Sequence, residues 1–393
     1  MIFKVLLRGL QFLLLGFSFL IPRNKRIWCF GSIFNGNTKY LSIYLKEARV
    51  DKRIIWIVGS NEIEHLQELG FEAYTRWSFK GVWYCLIAGA YFYNSYPDNV
   101  NLYTKGCAKL VNLWHGVGLK KMDRQIKTGP LAKYYQSKGL INELRHLNFR
   151  LKPDLMLSTS PFQTRHFIEA VEVSESHFVE GIYPRCELFK KQKNELYDFI
   201  QKYESLNTIK LAERLKEYRY VYIYMPTFRD SGDDFITCCG FDFNRVNDIL
   251  KDENRLLIMK MHPDSKLSFK EEYSNIRIIE KDVDIYPILP LTHCLITDYS
   301  SIYFDYIIMK EKPVILFIPD LENYLKNSRD LAFPYEEYTK GIVAKDFESL
   351  VGLLKKPTDN YIMPDIEQIR NTFWKPRYKT MDELVSAIID KLN

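Results

Sequence analysis

The amino-acid sequence predicts an α/β protein with two doubly wound domains, each built on a parallel sheet. Three observations predict this fold class. The chain has 393 residues, which is about two to three times the length of a typical domain. Short apolar runs alternate with helical patterns along the chain, as strand–helix–strand units do. The runs form two series, and the segment between them, 188–219, is rich in Lys, Glu and Gln and is typical of surface helices.

The first series of apolar runs predicts the strands of the first domain. Each run is bounded by turn or polar residues, which is the pattern of strands that are buried on both faces of a parallel sheet. Helical patterns lie between the runs, for example at residues 40–48 and 62–69. The predicted strands are 27–30, 53–58, 90–94, 109–114 and 154–158.

The second series predicts the strands of the second domain in the same way. We place the domain boundary at residue 200, so that residues 25–200 form an N-terminal α/β domain and residues 201–393 form a C-terminal one. The predicted strands of the second domain are 220–225, 256–261, 276–279, 294–297 and 314–318.

Residues 1–24 predict a helix that associates with a membrane. Their uninterrupted apolar part, 12–22, has only 11 residues, whereas a spanning helix needs about 20. Residues 1–26 contain five Lys and Arg side chains and no acidic residue, which suits anionic lipid headgroups. A short or tilted membrane span, a signal peptide and a buried first helix are the alternatives.

The positive charge is local rather than spread over the chain. The formal net charge is +6, and residues 1–26 account for +5 of it. The whole-chain charge therefore gives no argument for binding a nucleic acid. A second basic segment, 120–152, holds nine Lys and Arg residues against Asp123 and Glu143. It predicts contact with a polyanionic acceptor or a membrane surface, and a solvated helical hairpin is the alternative.

Ligands of open α/β sheets bind at the carboxyl ends of the strands, so the residues after each apolar run are candidate site residues. His115 and Gly116 follow the run 109–114. An imidazole at this point suits general acid–base catalysis, and a glycine lets the backbone approach a ligand closely. Lys120 and Lys121 follow, where a helix could open toward an anion. A tight turn with a hydrogen-bonded histidine is the alternative.

Two strand ends of the second series carry further polar groups. Thr227 and Arg229 follow the run 220–225, and a hydroxyl and a guanidinium two residues apart can both reach one phosphate. Lys260 and His262 lie at the end of the next run, where strand alternation puts both side chains on one face. A surface loop and a satisfied core histidine are the alternatives.

A third strand end in this series carries an acid and two hydroxyls. Asp298, Ser300 and Ser301 follow the run 294–297. Either serine can cap the next helix, whose N-terminus would bind a phosphate, and simple capping without a ligand is the alternative. The four strand ends together hold two His, an Arg, a Lys and three hydroxyl residues, without a Walker loop or a dinucleotide glycine fingerprint. The set predicts a diphosphate site with proton transfer.

Five short motifs follow one another at these positions. They are Trp114-His115-Gly116, Met225-Pro226-Thr227-Phe228-Arg229, Met261-His262-Pro263, Ile296-Thr297-Asp298-Tyr299-Ser300-Ser301 and Phe304-Asp305-Tyr306. Their order and spacing resemble the CDP-glycerol glycerophosphotransferase family, whose enzymes build wall teichoic acids and related phosphate-linked capsule polymers in bacteria. The resemblance extends from about residue 109 to about residue 341.

The resemblance implies a GT-B-like fold, in which an N-terminal acceptor domain and a C-terminal nucleotide-donor domain face a cleft. It implies transfer of a polyol phosphate, with glycerol phosphate as the first expectation, from a CDP-activated donor to an acceptor hydroxyl. CMP is released. The implied acceptor is a lipid-linked glycan or polyol phosphate, and the implied location is peripheral, at the cytoplasmic face of the bacterial plasma membrane.

The resemblance also implies roles for individual residues. His115 and His262 match two histidines that are regarded as catalytic in the family. The acceptor would be positioned by Gly116, Lys120 and Lys121. The donor phosphates would be bound by a larger set, which comprises Thr227, Arg229, Lys260, Asp298, Ser300, Ser301 and Arg329.

Three positions depart from the family pattern. Asp330 follows Arg329 where glycine is usual. Val117-Gly118 replaces the usual Thr-Pro, and Cys186-Glu187 follows Arg185 where Asn-Asp is common. The last two departures concern the acceptor and the polyol of the donor rather than the phosphate-binding strand ends.

The sequence requires no cofactor. The seven cysteines have no zinc-site spacing and no carboxylate cluster calls for a metal, although Mg²⁺ on the donor diphosphate is compatible with the sequence. Two other functions stay open. One is a nucleotide-sugar glycosyltransferase of the same GT-B architecture in cell-surface polysaccharide synthesis, and the other is a non-catalytic membrane adaptor that binds an anionic polymer.

Overall fold

The computed structural model describes residues 2–127, 132–136, 139, 144, 146–227, 229, 236, 239–261, 273–280, 283–327, 331–356 and 360–393. These residues form two sheets, of seven and six strands. Neighbouring strands pair in parallel throughout both sheets. The predicted α/β class with parallel sheets is therefore confirmed.

The strand order of the first sheet reverses near its centre. Its strands lie side by side in the order β3-β2-β1-β4-β5-β6-β7, where β1 to β7 are Asn24–Ser32, Arg53–Val58, Glu72–Thr75, Ala88–Tyr93, Lys109–Asn112, Leu155–Ser158 and Phe178–Glu180. The order reverses between β1 and β4, and this is the point where open sheets bind ligands. The five predicted strands of the first series are confirmed, and β3 and β7 are two further strands at the edges.

The second sheet repeats this plan. Its order is β10-β9-β8-β11-β12-β13, where β8 to β13 are Tyr220–Met225, Arg255–Met259, Ile276–Ile278, Cys294–Thr297, Val314–Phe317 and Ile342–Ala344. The order reverses between β8 and β11, which gives a second ligand-binding point. The five predicted strands of the second series are confirmed, and β13 is a further edge strand.

Alternation along the central strands builds a core on each face of each sheet. In β1, Trp28 and Phe30 pack into one apolar cluster while Ile27 and Cys29 pack into another. Successive side chains of a strand point to opposite faces, so both faces of the sheet are covered. The covering helices include Gly36–Glu47, Ile63–Glu68, Phe79–Ile87, Pro161–Val171, Lys193–Tyr203, Leu206–Leu215, Phe243–Asp252, Phe347–Leu354 and Glu367–Phe373.

The helix Met381–Leu392 packs on the first sheet although it follows the second sheet in the chain. Its Leu384 and Ile388 belong to the apolar cluster that contains Trp28 and Phe92. The chain thus returns to the first sheet at its end. The division of the chain at residue 200 stays a prediction.

We call the parts of the molecule that are built on the first and second sheets the first and second halves. The first helix, Ile2–Ser18, packs against the first half through only one of its sides. The ring of Phe12 contacts the ring of Tyr103 at 5.9 Å. Leu10 and Leu13, on the other side, are 63% and 71% exposed. Within the described part of the chain, no helix is long and apolar enough to cross a membrane. The membrane association of residues 1–24 stays a prediction.

Candidate active site

A cleft of about 1010 Å³ lies between the two sheets. The first half contributes the residues that follow β1, β2, β4 and β5, among them Asn94 and His115. The second half contributes Lys260, which follows β9, and residues 283–286. His115 and Lys260, which the sequence places 145 positions apart, therefore line one cavity. We call this cavity the inter-sheet cleft.

A strained turn presents His115 to the inter-sheet cleft. Trp114 has a φ of 52°, which is unusual for a bulky side chain and costs free energy. Two buried asparagines hold this conformation. Oδ1 of Asn112 accepts a hydrogen bond from the backbone N–H of Trp114 at 2.9 Å, and Nδ2 of Asn37 donates to the carbonyl of Trp114 at 3.0 Å.

The His115 ring is oriented by one backbone carbonyl. Nδ1 lies 2.8 Å from the carbonyl oxygen of Asn94, and an acceptor at this position assigns the proton to Nδ1. Nε2 is then the basic nitrogen of the neutral ring. Desolvation lowers the pKa of His115, the hydrogen bond to the Asn94 carbonyl opposes this effect, and the positive charge of Arg185 adds to it. The imidazole therefore stays neutral, as a general base must be, below its ordinary pKa.

Gly116 lies where the two halves of the molecule touch. Its φ is +153°, and a Cβ at this position would lie 3.1 Å from Oγ of Ser301. Glycine is thus the residue that permits this approach. The structure brings the histidine–glycine motif of the first half beside the serine motif of the second half.

The β8 and β11 ends are joined by one buried carboxylate. Oδ1 and Oδ2 of Asp298 lie 2.9 and 3.1 Å from the backbone nitrogen of Thr227, which donates to them. Nη1 of Arg229 donates to Oδ2 of Asp298 at 2.9 Å. Oγ1 of Thr227 is buried without a hydrogen-bond partner. The Thr227 hydroxyl therefore keeps its hydrogen-bonding capacity for a ligand.

Arg229 is itself buried, with 5% of its surface exposed. Besides Asp298, it pairs with the carboxylate of Asp320, at 2.9 Å through Nε and 3.1 Å through Nη2. These contacts let Arg229 order the loop that carries Thr227. Direct contact between Arg229 and a donor phosphate stays a prediction.

The two predicted acceptor lysines lie at the junction of the halves. Lys120 bridges to Leu331 through its backbone, and its Nζ lies 5.4 Å from the ring centre of Tyr324. Lys121 follows and is half-buried. Neither lysine lines the inter-sheet cleft.

The helix after Ser300 and Ser301 is short. It spans Ile302–Tyr306, and its N-cap residue Ser301 makes no capping hydrogen bond through its side chain. Oγ of Ser300 lies 3.5 Å from the backbone nitrogen of Ile302, which is a weak capping contact. A helix of five residues has a small dipole, so a phosphate at this position would depend mainly on the serine side chains and backbone N–H groups.

Three other predicted residues need separate mention. Nζ of Lys260 donates to the carbonyls of Glu280 and Val283 at 2.7 and 2.9 Å, which holds its charge at the wall of the inter-sheet cleft. His262 and Arg329 lie outside the described residues. Among the residues that the structure does describe, no group of three or more His, Cys, Asp or Glu side chains is placed to hold a metal ion.

The inter-sheet cleft also contains charged residues whose pairing the motifs did not predict. Lys39 contacts the carboxylates of Glu204 and Asp284, and all three residues line the cleft. Arg185 pairs with Asp305 across the junction of the halves. No local pattern marks these partners, since they lie more than a hundred residues apart in the chain.

Comparison with known proteins agrees with this architecture. The teichoic acid poly(glycerol phosphate) polymerase of Bacillus spizizenii is 27% identical over 369 residues, which cover 87% of this chain and 86% of that protein. The teichoic acid glycerol-phosphate transferase of Staphylococcus aureus is 26% identical over 337 residues, which cover 83% and 81%.

A solved structure shares the fold. The wall teichoic acid polymerase TagF superposes with a TM-score of 0.71 at 20% identity, over 94% of this chain and 89% of that one. The two parallel sheets and the cleft between them are therefore GT-B-like. The family model of CDP-Glycerol:Poly(glycerophosphate) glycerophosphotransferase matches residues 16–386. The chain belongs to the CDP-glycerol:poly(glycerophosphate) glycerophosphotransferase family.

Proposed function

We propose that the protein transfers a polyol phosphate, with glycerol phosphate first, from a CDP-activated donor to a hydroxyl of a membrane-linked acceptor. The reaction releases CMP and serves teichoic-acid or capsule polymer synthesis. Family membership supports the reaction class. The observation that carries the proposal is the position of His115, whose Nδ1 is tied to Asn94 while its ring lines a cleft formed by both sheets.

In the proposed mechanism, His115 is the general base. Nε2 takes the proton of the acceptor hydroxyl, the acceptor oxygen forms a bond to the phosphorus that bears the polyol, and the bond from that phosphorus to CMP breaks. General-base assistance contributes about 10²–10⁴ to the rate. The strained turn at Trp114 supports this role, because backbone strain of this kind persists where the surrounding structure over-determines it and is concentrated at functional sites.

The donor diphosphate would lie on the second half of the molecule. The unpartnered hydroxyl of Thr227 is available to donate to a phosphate oxygen, and Ser301 lies within reach of the His115–Gly116 turn. Arg229 would keep the Thr227 loop in place through Asp298. His262 follows Lys260 by two positions and would stabilise the leaving phosphate or protonate it.

A donor screen tests the proposal. Purified protein is incubated with CDP-glycerol, CDP-ribitol or UDP-sugars, and CMP or UDP release is measured together with the mass of the product. We expect CMP release from a CDP-polyol, and we expect His115→Asn to lack it. His177→Asn is the matched control, since His177 lies outside the inter-sheet cleft and contacts Ser174. UDP release without CMP release would favour the nucleotide-sugar glycosyltransferase instead.

We also propose that the first helix attaches the protein to an anionic lipid surface. A second exposed apolar group, formed by Trp77 and Phe79, lies beside the helix Ile2–Ser18. Trp77 and the helix residue Phe12 both contact the ring of Tyr103. Phe79, in this second group, is 87% exposed. Aromatic and leucine side chains flanked by basic residues suit the interface of a bilayer.

Vesicle co-sedimentation tests the attachment. We expect the protein to bind vesicles that contain phosphatidylglycerol more tightly than phosphatidylcholine vesicles. Leu13→Glu should weaken binding about tenfold or more, because burial of one leucine contributes about 1.5–3 kcal/mol. Ile362→Glu is the matched control, since Ile362 is also an exposed aliphatic residue but lies in the second half of the chain. Equal weakening by both substitutions would contradict the attachment.

A further inference from the structure

A buried arginine joins the two halves of the molecule beside the proposed base. Arg185 lies in the 3-10 helix Pro184–Lys190 and is 4% exposed. It lines the inter-sheet cleft together with His115. Its Nη2 donates to Oδ2 of Asp305 at 2.5 Å, and Asp305 belongs to the short helix that follows Ser301. Arg185 therefore bridges the acceptor side and the donor side of the cleft.

The guanidinium lies close to the proposed reaction centre. A Cβ on Gly116 would be 3.5 Å from Nη2 of Arg185 and 3.1 Å from Oγ of Ser301. The charge of Arg185 is also one cause of the lowered pKa of His115. The cation thus lies close to Gly116 in the turn that carries the proposed base, and Ser301, which is predicted to bind the donor phosphate, approaches the same glycine.

The surroundings of Arg185 fix its orientation without using all of its donors. Oδ2 of Asp305 also accepts from the hydroxyl of Tyr286 at 2.6 Å, and the Tyr286 ring centre lies 4.3 Å from the guanidinium carbon. Nε of Arg185 is buried and has no hydrogen-bond partner. A rigid fork with a spare donor is the arrangement that binds phosphate oxygens well.

The other cations of the inter-sheet cleft are placed differently. Lys39 is already paired with the carboxylates of Glu204 and Asp284. Lys260 is directed to the carbonyls of Glu280 and Val283. Arg185 shares a single carboxylate with a tyrosine, and its Nη2 lies close to Gly116, the residue that also approaches Ser301.

We propose that Arg185 is a catalytic residue, whose guanidinium binds a non-bridging oxygen of the phosphoryl group as it passes from donor to acceptor. This proposal rests on the proposed function. During transfer the acceptor proton goes to Nε2 of His115, the new bond forms between the acceptor oxygen and phosphorus, and the electron pair of the broken bond leaves with CMP. Arg185 keeps its own protons and balances the charge on the phosphoryl oxygens.

Two variants separate this role from a structural one. Arg185→Lys keeps the charge but loses the fork, and the pair Arg185→Gln with Asp305→Asn removes both charges of the buried ion pair together. We expect kcat for CMP release to fall about 10²–10³-fold in each, as for the loss of one preorganised oxyanion donor. KM for the donor should change much less.

The pH dependence gives a second measurement. The acid limb of kcat/KM reports the base of the free enzyme. We expect it to move to higher pH in the doubly neutralised variant, because Arg185 no longer lowers the pKa of His115, and to stay in place in Arg185→Lys. Arg255→Lys is the matched control, since Arg255 is buried on β9, outside the cleft, and donates to the carbonyls of Leu354 and Lys356. It should leave both kcat and the acid limb unchanged.

The outcomes are distinguishable. If the wild type releases CMP and Arg185→Lys does so at a similar rate, the role of Arg185 is overturned while the proposed function stands. If the wild type releases no CMP from CDP-glycerol or CDP-ribitol, the proposed function fails and this role fails with it. If both Arg185 variants lose their cooperative urea transition, Arg185 is a structural residue and the proposal is overturned.

Discussion

Replacing Lys39 by methionine should destabilise the protein strongly, because Lys39 holds two buried carboxylates from distant parts of the chain. Its Nζ lies 2.6 and 2.7 Å from the oxygens of Glu204 and 3.0 Å from Oδ2 of Asp284. The side chains of Lys39 and Glu204 are each 2% exposed, and that of Asp284 is 9% exposed. Lys39→Met keeps an unbranched apolar stem but leaves the two carboxylates without a cation.

The size of the effect follows from burial and depends on pH. Loss of one partner from a buried ion pair costs about 3–5 kcal/mol of the free energy of unfolding. Burial raises the pKa of Glu204 to about 7, against the opposing charge of Lys39. Burial also raises the pKa of Asp284, but Lys39 reverses this and holds it below its usual value.

Without Lys39, both folded-state carboxyl pKa values should rise above their unfolded values. A carboxyl group whose pKa is higher in the folded than in the unfolded state does not lower the free energy of unfolding at low pH, but it does so as the pH rises through the folded-state pKa. The destabilisation by Lys39→Met should therefore be larger at pH 8 than at pH 6.

Urea unfolding at both pH values measures this prediction. Glu204→Gln is the matched control. It should cost less than Lys39→Met at pH 8, because Lys39 stays paired with Asp284 and no carboxylate is left without a cation. The reasoning is refuted if Lys39→Met costs under about 1 kcal/mol at pH 8, or if the two variants lose equal stability at both pH values.

Four further predictions concern activity. His115→Ala and His262→Ala should each abolish CMP release while donor binding survives in at least one of them, and near-normal turnover in either variant would contradict the assignment. In the wild type, the acid limb of the pH profile of kcat/KM should lie below the ordinary imidazole pKa, since the pKa of His115 is lowered. Thr227→Val should raise the donor KM about 10–100-fold, the equivalent of one hydrogen bond to a charged group, and should leave the urea midpoint unchanged because Oγ1 has no protein partner. KM for a polyanionic acceptor should rise with salt if segment 120–152 binds it, and a salt-independent KM would exclude that role.

The central strands and one edge strand, Ile276–Ile278, could be predicted from the sequence, and the other three edge strands could not. A strand such as Tyr220–Met225 is buried along most of its length and reads as an unbroken apolar run. The missed strands Glu72–Thr75, Phe178–Glu180 and Ile342–Ala344 have three or four residues each and lie at sheet edges. Edge strands are short and partly solvated, so they lack the continuous apolar pattern.

The candidate site could be predicted in part, for a related reason. The rule that ligands bind at strand ends locates His115, Thr227 and Ser301, because it depends on topology alone. The pairing of Arg185 with Asp305 depends on how two separate sheets meet. The left-handed backbone at Trp114 likewise follows from tertiary contacts with Asn37 rather than from local preference.

The return of the chain to its first sheet has a practical consequence for dissecting the protein. A fragment that ends at residue 200 would lack Leu384 and Ile388, and would expose apolar surface on the sheet that these residues cover. The backbone N–H groups of Lys375 and Tyr378, which donate to the carbonyls of Thr159 and Glu180 at 3.0 Å each, would be lost as well. The chain passes from one half to the other twice, so a movement of the halves that opens the inter-sheet cleft must change the conformation of both connecting segments.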